Sequence, residues 1–236
     1  MSVCERYITD SFALFIKYDE CGISPRKFFD NLGTIVGKHR QYNVGDRSFN
    51  EKDYDNWDDV LLGECGSSRN ILYLPVYMYN HSTLALSTGS FIGRAHHAEW
   101  DSGQVGWTYV EKKKVREEYG IKKITKAIRE KVYEVLGSEV EILGHYLNGD
   151  TYGFTLHEYK PEDFRKFIES NNITKLEEID EIKIEDLATC SDPCWGYYGY
   201  DIKKNGMLNN IPQKYHEKIL NYSQQEVEKV CIMPKS

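Results

Sequence analysis

Nine residues, Ile71 to Tyr79 (ILYLPVYMY), constrain the fold more than any other stretch. They are β-branched, aromatic or otherwise apolar at almost every position, which suits a buried strand and fits no amphipathic helix. Pro75 sits inside the run. It cannot donate to a ladder, so the strand must be an edge there or carry a bulge. Asn80-His81-Ser82-Thr83 supplies turn chemistry, and Leu84-Ala85-Leu86 returns the chain as a hairpin partner.

Further strands are expected at Phe12–Tyr18 (FALFIKY), Val105–Val110 (VGWTYV) and Tyr152–Leu156, with a short apolar run at Leu32–Val36. Tyr54, Trp57, Val60 and Leu61 fall at helical spacing and predict an acidic amphipathic helix over Glu51–Leu62. Lys112–Tyr119 reads as a helix stopped by Gly120. Thr125 then caps a long helix whose stripe is Ile128, Val132, Val135, Leu136, Val140, Leu143 and Leu147, ended by Asn148-Gly149. Pro161 opens another helix through Ile168, and a last one is expected over 212–226. The acidic segment 171–190 reads as peripheral strand and turn. Strands interleaved with helices predict an α+β fold, a single compact domain over 1–236 with a mixed or mainly antiparallel sheet flanked by helices.

With a net charge of −7 the chain is poorly suited to nonspecific nucleic-acid binding, which needs clustered cations. The run Lys112-Lys113-Lys114 reads as a solvated helix face. No apolar run approaches the roughly 18–20 residues of a membrane span, which points to a cytoplasmic protein with reduced cysteines. Cys190-x-x-x-Cys194 is half of a zinc-like pattern without its second half. The 18 tyrosines favour strands and half-wet surfaces.

Four loop-like clusters hold more polar chemistry than a scaffold needs, and loops on a rigid sheet are where binding groups usually sit. They are Asp30 to Thr34 leading to Lys38 to Asp46, Asn80 to Ser82, Ala98 to Trp107 (AEWDSGQVGW) and Ser191 to Gly196. Trp100, Trp107, Tyr42 and Trp195 offer flat faces for a nucleobase. Lys38 and Arg40 can hold phosphate. Asn31, Asn43, Asp101 and Gln104 can read hydrogen-bonding edges, and Gly103 and Gly106 allow close approach of backbone to a ligand. His39, Asp46, His81, Ser82 and Ser102 complete the candidate set.

The motifs DNLGT, HRQYNVGD, YLPVYMYNHS, WDSGQVGWTYV, VREEYG, GDTYGF and DPCWGYYG, in this order from Phe12 to Gly199, resemble a family of uncharacterised proteins encoded by bacteriophages and mobile elements. Asn80 and Thr83 depart from it, where the family tends to carry Asp and Gly, as does the segment Ser90–His97. The resemblance implies a phage-type accessory protein in the host cytoplasm, with a role against host defence and no assigned reaction.

The residues then favour a noncatalytic binder of a small, nucleotide-derived ligand, sequestering a host immune signal, with no cofactor specified and a homo-oligomer compatible with it. Two alternatives stand beside it. One is a metal-dependent hydrolase or nuclease using His81, His96, His97 and Asp101, although no HExxH or nucleophile-elbow spacing appears. The other is a protein–protein inhibitor of a host defence enzyme, docking through aromatic and acidic surface.

Overall fold

The computed structural model describes residues 2–225 and 227. In chain order its principal elements are β1 (Val3–Ile8), β2 (Phe12–Tyr18), α1 (Pro25–Phe28), β3 (Thr34–Gly37), α2 (Trp57–Val60), β4 (Ile71–Asn80), β5 (Leu84–Ser87), α3 (Ala98–Asp101), β6 (Ser102–Glu111), α4 (Lys112–Glu118), α5 (Lys126–Asn148), β7 (Thr151–Glu158), α6 (Pro161–Ser170), α7 (Glu181–Glu185), β8 (Cys190–Tyr198) and α8 (His216–Leu220). The class is α+β, and the strands form two four-stranded sheets with antiparallel pairing, β1-β2-β7-β8 and β3-β6-β4-β5. Each sheet belongs to its own compact unit, the first built from residues 2–22 and 150–227, the second from Ile23–Gly149.

In the second unit the ILYLPVYMY strand is β4. It pairs with β6 along Ile71–Tyr79, but with β5 only from Tyr77 onward. Pro75 therefore lies where one side of β4 carries no ladder, and a bulge follows at Val76/Tyr77. Both outcomes that proline imposes are met in one strand. One sheet face, with Ile35, Val76, Met78, Leu84 and Leu86, is covered by Val140 and Leu143 of α5. The other face packs Val36, Ile71 and Trp107 against Phe49, Val60, Leu61 and Cys65. Thr125 caps α5 by accepting from the Ile128 N–H, and Gly149 ends it in the left-handed region, as the sequence predicts.

The segment 51–65 is not one helix. It makes a 3₁₀ turn at Glu51–Asp53, then α2, then a wider turn over Leu61–Cys65. Asn56 breaks it: its side chain accepts from the N–H groups of Asp58 and Asp59 and restarts the helix there. Gly106 has a structural duty as well. A Cβ there would fall 2.2 Å from the Val36 carbonyl oxygen, so glycine lets β3 and β6 close up.

One side chain ties the second unit together. The side chain of Arg26 in α1 is only 6% exposed and directs all five guanidinium N–H groups to acceptors. Nε and Nη2 bond the two oxygens of Asp46 at 3.0 and 2.6 Å, and Nη2 also reaches the Gly33 carbonyl at 2.7 Å. Nη1 bonds Asn31 Oδ1 at 2.8 Å and Glu139 Oε2 at 3.1 Å. Glu139, from α5, accepts in turn from the N–H groups of Leu32 and Gly33, and Asp46 accepts from Ile35 N–H.

In the first unit, Phe12, Leu14, Ile16, Phe154 and Leu156 fill one face of the sheet beneath Met207, Ile211, Tyr215 and Ile219. The opposite face, with Ala13 and Phe15, packs on Phe164, Ile168, Leu176, Ile179 and Ile184. The acidic segment 171–190 is thus neither strand nor peripheral. It makes a 3₁₀ turn at Leu176–Glu178 and the short helix α7, with Ile173, Leu176, Ile179 and Ile184 in the core and Ile182 exposed. The predicted helix over 212–226 is a 3₁₀ turn at Gln213–Tyr215 followed by α8, and its last position lies outside the described residues.

Arg26→Leu is expected to lower the unfolding free energy by about 2–3 kcal/mol in urea titration, because Asp46 and the largely covered Glu139 would both lose the cation they bond. A loss within about 1 kcal/mol, the range of an exposed ion pair, would contradict this assignment.

Candidate functional site

Three of the four polar clusters meet at one rim of the second unit's sheet. Antiparallel pairing in the order β3-β6-β4-β5 puts the end of β3, the end of β4, the start of β5 and the start of β6 on the same side. The loops at 38–46, 81–83 and 98–101 follow from that register, and Lys38 N–H bonds the Val105 carbonyl at 2.8 Å. His39 and Tyr42 stack at 5.2 Å, and burial, with Arg40 beside it, pushes the His39 imidazole below its ordinary value. His81 Nδ1 lies 2.9 Å from Asp101, with His97 6.1 Å from the His81 ring and His96 against His97. Among the described residues no three His, Cys, Asp or Glu side chains group as a metal ion would need.

The stretch AEWDSGQVGW is mostly occupied with folding. Ala98–Asp101 is the helical turn α3, and Ser102 Oγ donates to the Ala98 carbonyl at 2.6 Å. Gln104 Nε2 donates to the Gly106 carbonyl, and buried Trp107 donates from Nε1 to the Trp57 carbonyl at 2.9 Å. Asn31 and Asp46 are held by Arg26. Trp100 is 87% exposed, so it stands out from the surface rather than lining a hollow. Lys38, Arg40, Asn43 and Ser82 are exposed at the same rim.

A concave site lies at the other end of the same sheet. A cleft of about 460 Å³ opens where β4 begins and β6 ends, between the turn at 65–70 and the start of α4. Arg69, Lys112, Lys113 and Arg116 line it against a single carboxylate, Glu111. Lys112 fixes the walls: its N–H bonds the Asn70 carbonyl at 2.8 Å and its Nζ bonds the Arg69 carbonyl at 2.6 Å. The guanidinium groups of Arg69 and Arg116 have no carboxylate partner among the described residues. Burial pushes the Cys65 thiol up to about 12, so the cleft's cysteine stays protonated and unreactive at neutral pH. None of the predicted site residues lines this cleft. The signal available in the sequence was the run Lys112-Lys113-Lys114 with Arg116, which periodicity alone assigns to a solvated helix face.

The fourth cluster belongs to the first unit. Trp195 of β8 lies over Gly153, where a Cβ would meet its ring, and Lys17 Nζ is 5.5 Å from the ring centroid. Beside it runs a polar row that joins Ser191 of that cluster, on β8, to three residues that sequence reading missed: Lys17 on β2, His157 on β7 and Glu181 on α7. Lys17 Nζ bonds both Glu181 oxygens at 2.8 and 2.9 Å. His157 stands 3.2 Å from Glu181 and 2.8 Å from Ser191 Oγ. Burial pushes the Glu181 carboxyl up, but hydrogen bonds from Lys17 and His157 outweigh it and hold the group below its ordinary value.

Comparison with known proteins finds no matching family model, no matching curated protein and no matching solved structure.

Two outcomes are expected. Trp100→Ala with Asp101→Ala leaves the thermal midpoint nearly intact, the pair costing less than about 1 kcal/mol, whereas Trp107→Ala costs about 3–5 kcal/mol. Because the Glu181 carboxyl is depressed in the fold, its contribution holds above the ordinary carboxylate value of 4.5 and is lost as pH falls through its lowered value. Glu181→Gln should therefore flatten the acid limb of a stability–pH curve, and an unchanged acid limb would contradict this.

Proposed function

We propose that this chain binds a small, phosphate-bearing, nucleotide-derived ligand in the cleft between residues 65–70 and α4, and holds it without turnover. The observation that carries the reading is charge. A protein of net charge −7 gathers four cations around one carboxylate in a single hollow; Lys113 pairs outside it with Glu117 at 3.9 Å, while its two arginines have no acidic partner among the described residues. Like charges held together are unfavourable unless a counter-charge joins them. Arginine forks match phosphate oxygens two at a time, and lysines add unspecific attraction. The volume lies within the roughly 300–1,000 Å³ typical of small-molecule sites.

No aromatic side chain lines this cleft. Recognition there rests on phosphate charge rather than on base stacking, which revises the contribution expected of Trp100 and Trp195. The protonated Cys65 supplies no nucleophile to the bound ligand, in keeping with retention rather than reaction. Together with the resemblance to phage and mobile-element proteins, this supports an accessory protein that withdraws a host nucleotide signal in the infected cell.

Isothermal titration with pyrophosphate, ATP and a cyclic dinucleotide tests the reading, followed by chromatography of the recovered ligand. At least one probe should bind, weaken as salt rises, and return unchanged. Arg69→Glu with Arg116→Glu should lower its affinity at least about tenfold, the worth of roughly 1.4 kcal/mol. Binding untouched by that double variant but abolished by Trp100→Ala with Asp101→Ala would move the site to the opposite rim.

A further inference from the structure

We propose that Ser191 is a nucleophile, with His157 as its base and Glu181 as the group that orients the imidazole, and that this row hydrolyses small carboxylic esters. The inference concerns the first unit only and does not rest on the cleft.

The strand register builds the row. His157 and Ser191 are directly paired residues of β7 and β8, so their side chains rise on the same face of the sheet. One imidazole tautomer satisfies both contacts at once. With the proton on Nε2, the ring donates to Glu181 Oε1 at 3.2 Å, and Nδ1 is left as the acceptor for the Ser191 hydroxyl at 2.8 Å. Lys17 pins both oxygens of Glu181, and so the ring. His157 is only 1% exposed while Ser191 is exposed, so the base is sheltered and its nucleophile open to a substrate. This is the nucleophile, base and orienting-acid relation that acyl transfer requires, with the two ring nitrogens exchanging their more familiar places. β8 is also the edge of its sheet, so one side of the strand that carries Ser191 faces no partner strand and is open to a substrate. Trp195 lies on the same face four residues along, roughly 13 Å away, and is 37% exposed as an apolar rest for an acyl arm.

The step balances without a redox partner. As Ser191 Oγ bonds the ester carbonyl carbon, its proton passes to His157 Nδ1. The bond from that carbon to the alcohol oxygen breaks, and the departing oxygen takes the proton from Nδ1. Water, giving a proton to Nδ1, then bonds the acyl carbon, the acyl–Ser191 bond breaks, and Ser191 Oγ takes that proton back from Nδ1. Ester and water become carboxylic acid and alcohol.

A row that serves only to anchor α7 would leave Ser191 no more reactive than any surface serine. The full-length chain is treated with a fluorophosphonate and analysed by intact mass and peptide mapping, alongside p-nitrophenyl acetate hydrolysis and a melting curve for every variant. One adduct is expected, on the peptide holding Ser191, absent in Ser191→Ala. His157→Gln should slow labelling and hydrolysis at least about 100-fold. Ser191→Ala changes an exposed position and keeps the test valid should His157→Gln fail to fold. Folded wild-type protein that takes up no fluorophosphonate, or an adduct that persists in Ser191→Ala, overturns the proposal.

Discussion

The second unit depends on one buried guanidinium. Arg26 draws Asp46, Glu139, Asn31 and the Gly33 carbonyl onto a single planar fork, and through them fixes the loops on both sides of β3 to helix α5. An arginine removed from water is tolerable only when its charge is matched and its donors are filled, and here both conditions hold. The arrangement also settles how polar residues divide their duties. Asp46 and Asn31 are held in the fold, as are Ser102, Gln104 and Trp107 around the neighbouring strand.

The contrast with the opposite end of the sheet is electrostatic. At Arg26 two carboxylates answer one cation. In the cleft, four cations face one carboxylate, and the backbone bonds of Lys112 fix its walls. Charge that the fold has already neutralised has little left for a ligand, whereas unpaired arginine in a concave site keeps its donors for an incoming anion. The conspicuous polar motifs are thus largely engaged in the fold, and the less conspicuous cations of the cleft are the ones proposed to bind.

Local signals were legible in the sequence. The caps at Thr125 and Gly149, the stripe of α5, the apolar run of β4 and the constraint of Pro75 all act within a few residues, and the structure follows them. What escaped depends on distance along the chain. Arg26 and Glu139 are 113 positions apart, and His157 meets Ser191 across 34 and Glu181 across 24. Nothing in periodicity ties such pairs together. The 171–190 segment was misread because its six acids are interleaved with its apolar residues, although Ile173, Leu176, Ile179 and Ile184 are buried in the core. That three of the clusters share a rim while the fourth lies in the other unit follows from strand order, which the sequence does not show, and the cleft depends on how the 65–70 turn stands against α4.

The most direct measurement is a crystal structure of the protein grown with pyrophosphate and refined with the anion's position left free. The account predicts density for the anion between Arg69 and Arg116, within hydrogen-bond distance of both guanidinium groups. Anion density at the rim beside Lys38, Arg40 and His81, with the cleft holding only solvent, would contradict it.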